Sequence, residues 1–519
     1  MRIGVDIGSS STKALVLEAS GRVRHSVRHR FPTRRAAGGR VEHDPERLFQ
    51  ATRRALLDAA GSLPRRGTAL LGLAAQRSTF LVWDALSGRP LVPAISWQDL
   101  RARPIVARAA RRAQERGLDL RERTGLRLSA HYAAPKIAWL FREQPALRRS
   151  LASGRALWGT LLTFVVWRLT RGALYAVDHA NAQRTSLFAL DAIAWDPALF
   201  ALFDLEELLD APALPALVPT CLEGGAVIEA AGRTLTLGAM TGDQQAALVG
   251  MRCRREGDMA INYGSGAFVL RCSGKRSERR PGLLTTLVAS RRTRGGRGYD
   301  VTFALEGPVN AAGTAIDWLA ARLGRRLRTD DLDRLLGANA RGLDASPRAV
   351  HFLPAVSGVA APHWDETARP HFTGPAKGAP MAVLLRAVIE SIAQRCAEIA
   401  FAAASPTGSP LQNRRRGSKA GPTQTGPVRV SGGLTRCRAL LQAQADLLGR
   451  PLWVTDMRDA TAVGAAALAA HGVRTPARVA AEVRETVRPR LLPGEALALR
   501  RAWARAVYGR DAVPDGTSR

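Results

Sequence analysis

This chain of 519 residues predicts two large α/β domains, and three features carry that prediction. It is too long for one ordinary hydrophobic core. Strand-like and helix-like patterns alternate along it instead of segregating into separate regions. Near residue 251 the opening pattern returns: "GDMAINYGSGAFVLRCSG" is strand, small-residue turn and strand, as residues 1–19 are, and the helical "VNAAGTAIDWLAARLG" comes after it.

Taken in order, residues 1–19 form two strands, "RIGVDIG" and "TKALVLEA", joined by a Gly/Ser turn. "RGTALLGLAAQ" and "TFLVWDALSGRPLVPAISW" read as extended, and "PIVARAARRAQERG" as helical. In the second half a long helix, "MAVLLRAVIESIAQRCAEIAFAAA", precedes the strand "PVRVSGG". Between them, residues 404–427 are rich in Pro, Gly, Ser and Arg without periodicity, which predicts an exposed, mobile insertion. The expected organisation is an N-terminal domain over 1–250, a C-terminal domain over 251–475 and a peripheral basic tail over 476–519.

The net charge of +32 invites a nucleic-acid or membrane reading. Its distribution argues against both. Lysine occurs only at 13, 136, 275, 377 and 419, and the arginines that make up the excess are scattered among alanines and leucines, with no aromatic-interleaved basic stripe. The run "RRTRGGR" (291–297) reads as a solvated loop. Five cysteines with no C-x-x-C pair fit reduced thiols. No charged and apolar leader precedes the first strand, and the strongly apolar uncharged run "ALWGTLLTFVVW" is shorter than the ~20 residues that span a bilayer. A soluble cytoplasmic protein is expected, with neither nucleic acid nor membrane as partner.

Four stretches carry chemistry. In "DIGSSSTK" (6–13) a strand ends on an acid and turns through small hydroxyl residues, an arrangement that offers N–H and O–H groups to phosphate oxygens and a carboxylate to a hydrated Mg²⁺. "NYGSGAFVL" (262–270) repeats such a turn. In "VSGGLTRCRALLQAQADLLG" (430–449) a Gly-Gly turn opens an amphipathic helix and permits close approach of a ligand. "TGDQQAALVG" (241–250) sets Asp243 where a strand passes into a helix. By itself that aspartate is as well explained by helix capping as by catalysis. "PHWDETARPHF" places His363 and His371 near two acids at a spacing that suits no metal and reads as structural.

In order and spacing these stretches resemble the FGGY carbohydrate kinases, the glycerol kinases among them most closely. "AISWQDLRA" (94–102), "DHANAQRTSLFALDAIAWD" (178–196), "ALEGPVNAAGTAIDWL" (304–319), "FLPAVSGVAAPHWDETAR" (352–369) and "DATAVGAAALA" (459–469) extend the likeness over roughly residues 1–475. The resemblance implies two actin-like ATPase (ribonuclease H-like) domains closing on ATP and a small polyol or sugar, in an assembly that is often a homo-oligomer. It makes Asp243 the catalytic base, with an ordinary carboxyl pKa near ~3.9, and sets Gln244 beside it on the substrate. It gives Asp6 to the metal, and Gly8, Ser9, Ser10, Ser11 and Lys13 to the β- and γ-phosphates. Ser265 and Gly266 would take phosphates from the second jaw. Gly313 and Asp317 would stand near ribose and phosphate, Gly433 near adenosine, and Cys437 where an Asn is common.

The acceptor pocket departs from the pattern. Glycerol kinases read Gln-Arg-Glu where this chain has Gln76, Arg77 and Ser78, so a carboxylate that would accept from substrate hydroxyls is absent. His131 stands where a Tyr is usual, with Tyr132 adjoining, while Trp97 is kept. Losing a hydrogen-bond acceptor weakens discrimination for the hydroxyl it paired. Strict glycerol specificity is therefore not expected, and a longer polyol or a ketose becomes admissible. Two alternatives remain at this level: a ketose kinase of the xylulokinase type, and a non-catalytic actin-like sugar-binding module.

Overall fold

The computed structural model describes residues 1–64, 67–337, 350–404, 426–455, 459–471 and 483–509. Almost all of the insertion expected at 404–427 lies outside the described residues.

Six strands make the N-terminal sheet: β1 (Arg2–Ile7), β2 (Ser11–Leu17), β3 (Val23–Arg30), β4 (Thr68–Ala75), β5 (Val227–Ala230) and β6 (Arg233–Gly242), in the order β5-β6-β4-β1-β2-β3. The central pairs β1–β4 and β4–β6 are parallel, and the outer ones antiparallel. Parallel strands buried on both faces must be apolar throughout, as "RIGVDI" and "TALLGLAA" nearly are. A smaller five-stranded sheet takes its strands from residues 33–160, and helix α1 (Ala133–Glu143) lies within the same stretch.

The C-terminal sheet contains β7 (Met259–Tyr263), β8 (Ala267–Gly274), β9 (Leu284–Arg292), β10 (Tyr299–Val309), β11 (Val428–Gly432), β12 (Leu452–Thr455) and β13 (Val483–Val487), ordered β9-β10-β8-β7-β11-β12-β13. From β10 to β13 the sequence of antiparallel and parallel pairings repeats that of the N-terminal sheet strand for strand. The two glycine turns, β1–β2 and β7–β8, thus occupy equivalent places in two equivalent sheets.

Two helices lie between the sheets: α2 (Asp243–Gly250) and α3 (Ala460–His471). The sequence of α3, "ATAVGAAALAAH", is almost all small residues, and its backbone approaches neighbours directly. A Cβ on Gly4 would lie 1.8 Å from the Ala462 carbonyl oxygen, and one on Gly72 would lie 1.9 Å from that of Ala465. Across the other face, a Cβ on Gly464 would meet the Ala246 carbonyl oxygen at 1.7 Å. A core cluster of its own, drawing Leu15, Leu17 and Ala239 from one sheet and Ala260, Leu270 and Ala304 from the other, surrounds this crossing.

The peripheral tail expected from residue 476 needs correction. Its Val483–Val487 is the last strand of the C-terminal sheet, paired antiparallel with β12. Helix α4 (Pro493–Tyr508) buries Leu499, Trp503 and Val507 on one face, and the Trp503 indole donates to the Phe352 carbonyl at 3.2 Å. Spacing of four residues gives that segment an apolar stripe which its many arginines mask in composition.

Candidate active site

The β1–β2 turn is closed by a hydrogen bond from the Gly8 N–H to the Ser11 carbonyl at 3.0 Å. Asp6 stands at the end of β1, in register with Lys13 on β2. Lys13 Nζ is 3.0 Å from Asp459 Oδ1, just ahead of α3, so the turn is tied to the crossing helix. Ser10 is exposed at the tip. Ser9 faces Gln76 and Trp97: its hydroxyl donates to Gln76 Oε1 at 3.2 Å and accepts from the Trp97 indole at 3.1 Å.

On the opposite jaw the turn between β7 and β8 abuts the start of a helix, Gly313–Arg322, through Gly313 N–H to the Gly264 carbonyl at 3.1 Å and Thr314 N–H to the Ser265 carbonyl at 3.0 Å. Gly266 and Gly313 are glycines for want of room: a Cβ would come 2.5 Å from the Val309 carbonyl oxygen in one case and 2.9 Å from that of Gly264 in the other. Asp317 is exposed on that helix. In the Gly-Gly turn the two residues differ. Gly432 has φ +103° and no space for a side chain, whereas Gly433 is exposed with open space above it. Cys437 requires correction as a nucleotide contact. It is 1% exposed, and its thiol donates to Asp333 Oδ1 at 3.6 Å, inside the domain.

Gly242, not Asp243, is the residue preceding α2, and Asp243 is its first helical residue. One carboxylate oxygen accepts from the Gln244 N–H at 2.8 Å and lies 3.4 Å from Arg77 Nε, and 26% of the side chain remains exposed. Absence of a side chain at Gly242 lets Arg77 cross the turn, since a Cβ would lie 2.8 Å from its stem. The Gln244 amide oxygen is buried with no hydrogen-bond partner among the described residues. Ser78, at φ +64°, turns its hydroxyl to the Arg184 carbonyl at 3.3 Å. Behind it, buried Lys136 donates to the carbonyls of Ser78, Ser96 and His131 at 3.2, 2.7 and 2.7 Å. His131 is exposed at the cleft edge, Nδ1 on the Trp97 carbonyl at 2.8 Å.

Sequence reading missed one carboxylate here. Glu306, from "ALEGPV", receives a two-pronged bond from Arg77 at 2.8 and 2.9 Å and a third from Arg184 at 2.6 Å. Arg77 is therefore locked in place by two acids instead of hanging free toward a substrate. Nothing in the local sequence pairs positions 77, 184 and 306; only the packing of two domains does.

Residues 1–250 match the N-terminal domain of the FGGY family of carbohydrate kinases, and residues 259–473 its C-terminal domain. The chain belongs to the FGGY carbohydrate kinases. It is 36% identical to a glycerol kinase of Alkalilimnicola ehrlichii over 514 residues, 97% of each chain, and 35% identical to one of Thermus brockianus over 520 residues, again 97% of each. Its fold superposes on a Plasmodium falciparum glycerol kinase solved with ADP at a TM-score of 0.82, with 22% identity over 98% of this chain and 97% of that one. A xylulose kinase from Rhodospirillum rubrum superposes at 0.78, with 22% identity over 98% of both. The two-domain α/β architecture of this family, and its transfer of a phosphoryl group from ATP to an alcohol, are those of this chain.

The electrostatics of the kinase cleft concentrate on its acids. Burial and the adjacent Asp243 push the Asp6 carboxyl up to about 7, against the pull of Lys13. Burial likewise raises Asp243 above the ordinary carboxylate range, with Arg77 opposing. The expectation of an ordinary value near 3.9 is thereby corrected: a half-sunk carboxylate loses hydration that one arginine only partly replaces. For Glu306 the balance reverses. Burial would raise it, but Arg184 and Arg77 together hold it down to about 2.

Proposed function

We propose that this kinase phosphorylates a polyol longer than glycerol, or a related small sugar, with Asp243 receiving the proton of the attacking hydroxyl. Support comes above all from the setting of Asp243. It opens α2 at the cleft floor, partly exposed, with Arg77 fixed beside it at 3.4 Å and the unpartnered Gln244 amide oxygen next along. Phosphoryl transfer passes through a loose transition state, so the nucleophile needs aiming more than early deprotonation. Arg77, immobilised by Glu306, holds the Asp243 carboxylate in place, and Trp97 with His131 borders the acceptor. Nucleotide binding is assigned to the turn of Gly8, Ser9, Ser10, Ser11 and Lys13, to Ser265 and Gly266, to Gly313 and Asp317, and to Gly433.

The reading includes Mg²⁺ held through Asp6. The donor chemistry fits: a half-buried carboxylate crowded by Asp243 and raised to about 7 is eased by a hard dication, which ordinarily keeps most of its water and takes one or two protein oxygens. When bound, that ion would screen phosphate charge. Five free, buried cysteines accord with a reducing, cytoplasmic setting.

A longer acceptor is favoured by Ser78. The position has no carboxylate, and its hydroxyl already serves the Arg184 carbonyl. The test is a coupled ADP-release assay over glycerol, C4–C6 polyols and ketoses, run on wild type and Asp243→Asn. A longer polyol is expected to exceed glycerol in kcat/KM. Asp243→Asn is expected to cut kcat by about 10²–10⁴-fold while nucleotide affinity stays within a few-fold. Substantial turnover by Asp243→Asn would remove Asp243 from the role, and a preference for glycerol would remove the longer acceptor.

A further inference from the structure

Beyond the far end of α2 from Asp243 lies a separate cavity of about 240 Å³. Cys221 of the N-terminal domain and Arg254, Lys275, Ser290, Arg291 and Asp300 of the C-terminal domain contribute to its wall. None of the turns assigned to the nucleotide does. Lys275 and Arg291 share one carboxylate, at 2.9 Å from Asp300 Oδ1 and 3.1 Å from Asp300 Oδ2. Arg254 is different. Its Nε and one terminal guanidinium nitrogen are shielded from solvent and make no hydrogen bond among the described residues.

An arginine cannot shed its proton to escape such a position. A half-buried guanidinium with no acceptor among the described residues is costly, and this one belongs to a cavity wall that already carries two more cations against a single acid. The group that the wall lacks is a compact, acceptor-rich anion. Because the wall carries three cations and one carboxylate, a dianion completes its charge. We propose that this cavity is a binding site for a small phosphate-bearing anion, gripped by Arg254 and flanked by Lys275 and Arg291. Its place is informative. Along the same wall the Cys221 N–H donates to the Ser290 carbonyl at 2.9 Å, and the Thr220 N–H to the Ser290 hydroxyl at 3.0 Å, so the seam between the two domains runs past the bound anion. Occupancy would brace that seam.

Inorganic phosphate is the probe, titrated calorimetrically into the full chain with the cleft saturated by a non-hydrolysable ATP analogue and Mg²⁺ so that the β- and γ-phosphate positions of the nucleotide turns are filled. One site is expected, and binding should raise the thermal midpoint in step with its affinity. Arg254→Gln should weaken phosphate about tenfold or more, and Lys275→Gln about threefold, as loss of charge-assisted bonds implies, with ADP affinity unchanged in both. Should Arg254→Gln fail to fold, Arg291→Gln with the exposed Lys275→Gln is judged by the same criterion. A sugar monophosphate competing more tightly than phosphate identifies a metabolite as the ligand, and one competing less tightly identifies phosphate itself. Binding that survives unchanged in the variants, or no phosphate binding to the protein saturated with the ATP analogue at millimolar concentrations, overturns the proposal.

Discussion

Glu306 holds the proposed acceptor site together at the scale of single residues. Two buried arginines converge on it, and without its charge they would face each other. Glu306→Gln keeps the shape and removes the charge, and it is expected to destabilise the protein by about 3–5 kcal/mol, as breaking a buried ion cluster does. Its pH dependence has a definite sign. The folded-state value, about 2, lies below the ordinary glutamate value of 4.5, so the contribution is complete above the latter and fades as pH falls toward the former. Urea unfolding across that window should show the fade in wild type and not in Glu306→Gln. Ser78 is the complementary case. Ser78→Glu restores an acceptor at the pocket, and the ratio of kcat/KM for glycerol to that for longer polyols is expected to rise about tenfold or more; a ratio unmoved would mean that residue 78 does not touch the acceptor.

Among elements, the crossing of α2 and α3 matters most, because α2 begins with Asp243 and α3 begins just after the partner of Lys13. The helices approach at backbone distance, which only glycine and alanine allow. Gly464→Ala would set a methyl 1.7 Å from the Ala246 carbonyl oxygen, a contact that one helix must move to relieve. Overpacking of this kind costs about 1–3 kcal/mol. A lowered melting temperature is expected together with a fall in kcat larger than any change in KM, since displacing α2 moves Asp243 relative to both jaws. A variant that melts early but turns over normally would separate the crossing from catalysis.

At the level of the whole molecule, two cores with matching sheets meet through a third cluster of small residues. Phosphoryl transfer to an alcohol must exclude water, which would otherwise compete for the phosphoryl group. The turns proposed to bind nucleotide sit on opposite jaws, so filling the cleft is expected to draw the jaws together. Solution X-ray scattering should record a smaller radius of gyration with a non-hydrolysable ATP analogue and acceptor than with neither. Equal radii would mean that the cleft works without closing.

Sequence alone determined a great deal here. Two α/β domains, the two small-residue turns, the Gly-Gly turn and the acid at 243 all depend on contacts within a few residues, where turn chemistry and periodicity leave a direct trace. Those local patterns, taken together, were enough for the resemblance to the carbohydrate kinases. Tertiary structure decided the rest. It brought Glu306 to Arg77 and Arg184, Asp459 to Lys13, and Trp503 to the backbone of Phe352. It also turned Cys437 inward and lifted the Asp243 carboxyl above its ordinary range. Each of these depends on burial or on a partner far away in the chain, and neither burial nor a distant partner leaves a mark on neighbouring residues.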